Sequence, residues 1–130
     1  MTRWRFVVGI VAALLIMANG VLHTTVGWKS MRDHLAATNA PADLITGLTL
    51  GWIFGGVAMF GFGSIAIASL VARRANVAAS RGPLVIIALV YILFGIGALI
   101  FSGFDPFFLV FIVPGLMLIA AAWPTQALPR

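Results

Sequence analysis

Apolar residues fall into four long runs, at about residues 6–22, 44–72, 83–101 and 107–123, and the short stretches between and flanking them hold all the charged side chains. A run of about 17–25 apolar residues crosses the hydrocarbon of a bilayer as one helix. Inside lipid a helix is favoured because it pairs its own backbone N–H and C=O groups within one segment. The pattern therefore predicts an all-α fold, a four-helix transmembrane bundle forming one domain over residues 1–130. The second run is longer than a bilayer requires and is expected to tilt or project.

The connections carry their own signals. Residues 23–43 read as a polar connection containing a short helix. Ser30-Met-Arg-Asp33 has the Ser-x-x-acid form of a helix start. Trp28, Met31 and Leu35 share three-to-four spacing, so this helix is expected to lie on the lipid surface, run to Thr38 and stop at Asn39. Asn39-Ala-Pro41-Ala-Asp43 then turns the chain into span two, with Asp43 at its beginning. Pro83 opens span three, where a missing N–H costs nothing. Asp105 precedes Pro106 as the expected N-cap of span four, and Pro114-Gly115 is expected to kink that span. The start Met1-Thr-Arg-Trp-Arg followed by Phe6–Leu22 also has the outline of a signal peptide. The run is long enough to span, and bulky Ile16 spoils the small-residue site around Ala18, so a retained first helix is expected.

Composition agrees with a membrane address. Hydrophobic residues make up 62% of the chain and charged residues 8%, with a mean hydropathy of +1.14, against about 25% charged residues in soluble domains. The net charge of +5 does not indicate nucleic acid, because the basic residues flank apolar runs instead of gathering on one water-exposed face. If four helices alternate, Arg3, Arg5, Arg73, Arg74, Arg81 and Arg130 share one side and only Lys29 and Arg32 lie on the other. The positive-inside rule then places both termini in the cytoplasm. The expected setting is the inner, plasma membrane of a bacterium, with the lipid bilayer as first partner. With no cysteine, disulfides and thiol redox chemistry are excluded.

Both histidines and all three aspartates fall at the outer end in this topology, so any acid–base or ligand chemistry belongs there. Asp33, Asp43 and Asp105 all sit near helix starts, where capping explains them. His34 is expected in solvent. His23 closes span one with Asn19 one turn before it on the same face, and Tyr91 adds a polar tip within span three. Asn19, His23, Tyr91 and Asp105 are therefore the candidate residues. They either line an outward-opening pocket or hydrogen-bond one another and hold the bundle in register. Phe101, Phe104, Phe107, Phe108 and Phe111 surround the second outer turn, as interfacial anchors or as an apolar wall beside His23. No metal or other cofactor is expected, since the two histidines lack ligand spacing. Thr24 and Thr25 adjoin His23, but adjacency alone does not make a catalytic pair. The spans hold no carboxylate of the kind proton-coupled exporters use. In span two Gly47, Gly51 and Gly55 put three small positions on one helical face, for packing against the chain's own helices or against a second copy.

The basic start, Gly20-Val-Leu-His23 at the end of span one, Ala40-Pro41 after an outer helical stretch and the glycine-rich second span together resemble the DoxX-like four-helix membrane proteins, over about residues 5–101. That family often has a basic residue where His23 stands and an acid early in span two, near Trp52 here. The resemblance implies a four-helix bundle serving as a membrane partner of a redox or stress system, and supplies no catalytic residues. The expected function is non-enzymatic association, as a homo-oligomer or as an accessory subunit of a membrane complex. The alternative is a small membrane enzyme or binding module for an apolar, lipid- or isoprenoid-like ligand entered from the outer face.

Overall fold

The computed structural model describes residues 1–76 and 78–123. They are all-helical, with no strand among the described residues. Helix α1 spans Arg3–Leu22, a π-helical turn covers His23–Gly27, and α2 covers Trp28–Ala37. Helix α3 spans Ala42–Ala75, α4 spans Gly82–Phe101, and a 3-10 turn at Pro106–Phe108 leads into α5, Leu109–Ala122. Three helical stretches, Arg3–Ala37, Ala42–Ala75 and Gly82–Phe101, are long and apolar enough to cross a membrane, and Pro106–Ala122 is a shorter apolar helix.

The packing closes a ring in the order α1–α3–α4–α5, each helix antiparallel to its neighbours, with close approach mainly between α1 and α3, α4 and α5, and α1 and α5. The α3–α4 seam is the loosest, and neither diagonal pair comes close. Ala12, Ala13, Ile16, Ala66, Leu70, Leu84, Ala88, Tyr91 and Leu118 form the buried centre. Most large apolar side chains, Phe54, Val57, Leu93 and Leu116 among them, point outward, which is the arrangement lipid favours. Small residues occupy the seams, where they let the helices approach closely. A Cβ on Gly20 would lie 2.6 Å from the Gly56 carbonyl oxygen, and one on Gly63 would lie 2.7 Å from that of Ala13. Gly95 and Gly115 do the same between α4 and α5, against Ile112 and Ile92.

Several helix ends match the sequence expectations. The Asp105 carboxylate accepts the Phe107 N–H at 2.9 Å, with Pro106 next to it. Asp43 lies in the first turn of α3, and Pro83 in that of α4. Asn39 ends the α2 region in the left-handed conformation (φ 53°), while the next N–H, of Ala40, returns to the Leu35 carbonyl at 3.0 Å.

The stretch after span one differs from expectation. No polar connection begins at residue 23, and no helix starts at Ser30, because the chain stays helical from Arg3 to Ala37 through the π turn. Asp33 is therefore not a cap. It is mid-helix and pairs with Lys29 one turn earlier at 2.6 Å. The α2 segment packs on α3 and touches neither α4 nor α5. At 34 residues, α3 is about 51 Å long, so the α2–α3 hairpin continues past the α4–α5 turn.

Gly63→Val should push α1 and α3 apart and lower stability by about 1–3 kcal/mol. Gly97→Val on α4, where a Cβ meets nothing within 4 Å, should change it by less than about 0.5 kcal/mol. Unfolding of the two variants in detergent or bilayers measures the difference.

Candidate functional site

Of the polar residues picked out by sequence, Tyr91 lies midway along α4, and Asn19, His23 and Asp105 lie toward one end of the molecule. The π turn there has local causes. Thr24 and Thr25 donate their hydroxyls back to the carbonyls of Gly20 and Val21, at 3.0 and 2.8 Å, in competition with the regular ladder. The Trp28 N–H reaches back five residues to the His23 carbonyl. That same oxygen also accepts the Trp52 indole N–H from α3 at 2.6 Å. An inserted π turn is a common mark of a functional position.

The His23 imidazole lies flat on Trp52, with ring centroids 4.5 Å apart and planes 4° from parallel. Trp28 meets the same indole at 5.9 Å and 44°. Gly55 makes room for this stack, since a Cβ there would sit 3.2 Å from His23 Nε2. Neither ring nitrogen of His23 has a hydrogen-bond partner among the described residues, and His23–Gly27 approaches only α1, α2 and α3. The stack was missed in sequence, because only the packing of α3 against the π turn brings His23, Trp28 and Trp52 together.

Asn19 has a different task. Its Nδ2–H donates to the Val110 carbonyl on α5 at 3.0 Å. In a regular helix that carbonyl would accept the N–H of residue 114, but residue 114 is proline and has none. Asn19 therefore pairs an oxygen that Pro114 leaves without its normal donor. One turn apart on the same helix, Asn19 is used by α5 and His23 by α3.

Tyr91 is 3% exposed, tilts against Phe111 at 5.9 Å, and its hydroxyl finds no partner among the described residues. Asp105 stands exposed at the α4–α5 turn. No hydrogen bond joins any two of Asn19, His23, Tyr91 and Asp105. Of the two alternatives, the mutually hydrogen-bonded arrangement is not formed, and Asn19 bonds to backbone instead. Two shallow, apolar crevices lie along the helix seams. One is lined by Gly20, Thr24, Gly56 and Phe60, the other by Leu15, Asn19, Val110 and Pro114. Phe101, Phe104 and Phe107 point outward, Phe111 is buried, and Phe108 packs against the core. His34 is exposed. No group of three potential metal ligands exists among the described residues.

The glycine face of α3 divides. Gly55 is covered by His23, whereas a Cβ on Gly47 or Gly51 would meet nothing within 4 Å. Packing within the chain therefore does not account for Gly47 and Gly51. The glycines that do serve it on this helix are Gly56 and Gly63, on the other side.

Comparisons with family models, with curated proteins and with solved structures found no match for this chain.

Asn19→Leu should destabilise the protein by about 1–2 kcal/mol by stranding the Val110 carbonyl. In a Pro114→Ala background, which returns an N–H to that oxygen, the same change should cost distinctly less. A double-mutant cycle of unfolding free energies tests the coupling. Trp52→Phe, which keeps a ring on His23 but removes the indole donor, should cost about 1 kcal/mol in the same assay.

Proposed function

We propose that this chain is an integral membrane protein that works by association, pairing with a second copy through the outward face of α3. The observation that carries the reading is the open space at Gly47 and Gly51. These two begin a stripe, Gly47, Gly51, Phe54, Ala58 and Gly61, spaced alternately by four and three residues, which is the spacing of a helix–helix seam. Phe54 is 73% exposed in its middle. The stripe holds no charge and small side chains dominate it, so two copies present the same close-approach surface. Its opposite side is already used by α1, which leaves α3 free to serve two interfaces at once.

The basic residues support an orientation with both termini in the cytoplasm and the His23 end outside, in a bacterial inner membrane; Arg130 lies outside the described residues. The α2–α3 hairpin would then rise from the outer surface. Within the DoxX-like resemblance, the associated form would be the one that meets a redox or stress system. Binding of an apolar ligand has less support, because its four candidate residues share no hydrogen bond and the seam crevices are shallow.

Gly51→Leu should convert the assembly to monomer, or weaken the association at least about fivefold, as a clash in such a seam costs about 1–3 kcal/mol. Gly97→Leu, at an equally open position on α4, should leave it intact. Cross-linking and single-molecule mass measurement in bilayer discs provide the readout. A wild-type protein that is monomeric at all lipid dilutions, or an oligomer indifferent to Gly51→Leu, would overturn the proposal.

A further inference from the structure

The end opposite His23 is built from arginine. Helix α1 begins with Arg3 and Arg5, α3 ends on Arg73 and Arg74, and Arg81 is the N-cap of α4. The chain's three aspartates, Asp33, Asp43 and Asp105, all lie toward the other end, so no acidic side chain balances this charge.

The register brings these arginines together at one mouth. A Cβ on Gly9 would lie 2.7 Å from Leu70 and 3.0 Å from Ala121, so the second turn of α1 sits against the C-terminal parts of α3 and α5. Arg5 precedes buried Gly9 by four residues and Arg73 follows buried Leu70 by three, so each continues a buried helical stripe to its end. Arg5 donates from Nη1 to the Trp123 carbonyl at 2.8 Å. The Arg74 guanidinium lies 4.7 Å over the Phe6 ring. The Nε atoms of both Arg5 and Arg73 are buried with no hydrogen-bond partner among the described residues. Arg3 and Arg81 are exposed.

Buried guanidinium donors without acceptors are costly, and a planar N–H fork is shaped for the oxygens of a phosphate. The C-terminal ends of α3 and α5 favour the arginines through their dipoles but leave these two N–H groups unmet. A sign rule for membrane orientation explains a basic end, and exposed arginines satisfy it. It does not explain burying two donors without partners. Basic recesses between spans at the membrane boundary are where anionic lipid headgroups bind. We infer that the mouth between α1, α3 and α5 binds the phosphate of an anionic phospholipid, with Arg5 and Arg73 as its donors and Arg74 as a neighbouring charge. Net positive field with no acid nearby selects an anionic lipid over a zwitterionic one. The inference stands on different residues from the α3 association face and does not depend on it.

The test uses the full chain in mild detergent, titrated with phosphatidylglycerol or phosphatidylcholine and read as bound-lipid adducts by native mass spectrometry. Phosphatidylglycerol should be retained preferentially. Arg5→Gln and Arg73→Gln should each weaken it about fivefold, while Arg3→Gln and Arg81→Gln, removing the same charge from exposed positions, should weaken it less than about twofold. Helicity and thermal unfolding identify any variant that fails to fold, and Arg73→Gln keeps the test alive if Arg5→Gln does. Equal losses for all four variants would mean diffuse surface charge and overturn the inference. So would equal retention of the two lipids, or displacement of phosphatidylglycerol by an equal concentration of inorganic phosphate.

Discussion

A backbone carbonyl packed among apolar helices needs a donor from within the protein, and the bundle depends on how that constraint is met at Val110. Pro114 removes the donor that would have closed the α5 ladder at this point. Asn19 supplies one from α1 at 3.0 Å. A polar contact with one geometry fixes the sliding register of α1 on α5, which apolar packing alone defines poorly. From that register follow the approach of Gly9 to Ala121 at one end and the level of His23 relative to the α4–α5 turn at the other. The proline is tolerated because a neighbouring helix answers it.

The seams then divide labour. Small residues let α1 lie close on α3 and α4 close on α5, while the α3–α4 seam stays loose. Helix α3 is therefore held firmly along one side only. Its opposite side keeps Gly47 and Gly51 open, and this asymmetry separates glycines used for folding from glycines left over. The two ends of the bundle are as unlike as its two sides. One gathers arginines beyond the last buried turns, and the other gathers the histidines and carboxylates.

Much of this was legible in the sequence. The apolar runs at 44–72 and 83–101 became Ala42–Ala75 and Gly82–Phe101, since length and hydropathy are local properties. Asp105 capped as expected because an N-cap is made by neighbours in the chain. The reading failed at residues 23–37, where Ser30 and Asp33 imitate a helix start and the polar composition suggests a loop. No proline breaks that stretch, and the helix simply continues. Asn19 was recognised as a residue needing a partner, and Pro114 as a break in a ladder. That each solves the other's problem required knowing which helices touch. Gly47, Gly51 and Gly55 share a spacing, but only the path of the His23 ring separates the third from the first two.

The continuity through the π turn also explains how α2 exists at all. A ten-residue helix standing alone in water is marginal, because starting its first turn costs more than the few later turns return. Its order of charges, Lys29 before Asp33, is the weaker one for a helical pair. Helix α2 escapes the starting cost by growing from α1, which the bundle already holds. The junction is anchored where it needs to be: Trp28 is buried, Trp52 donates into the π turn, and the imidazole of His23 seals the gap over Gly55. The aromatic cluster is thus first a splice that lets one helix run past the end of its bundle. The projecting hairpin and the placing of the His23 ring flat on Trp52 are consequences of the same joint.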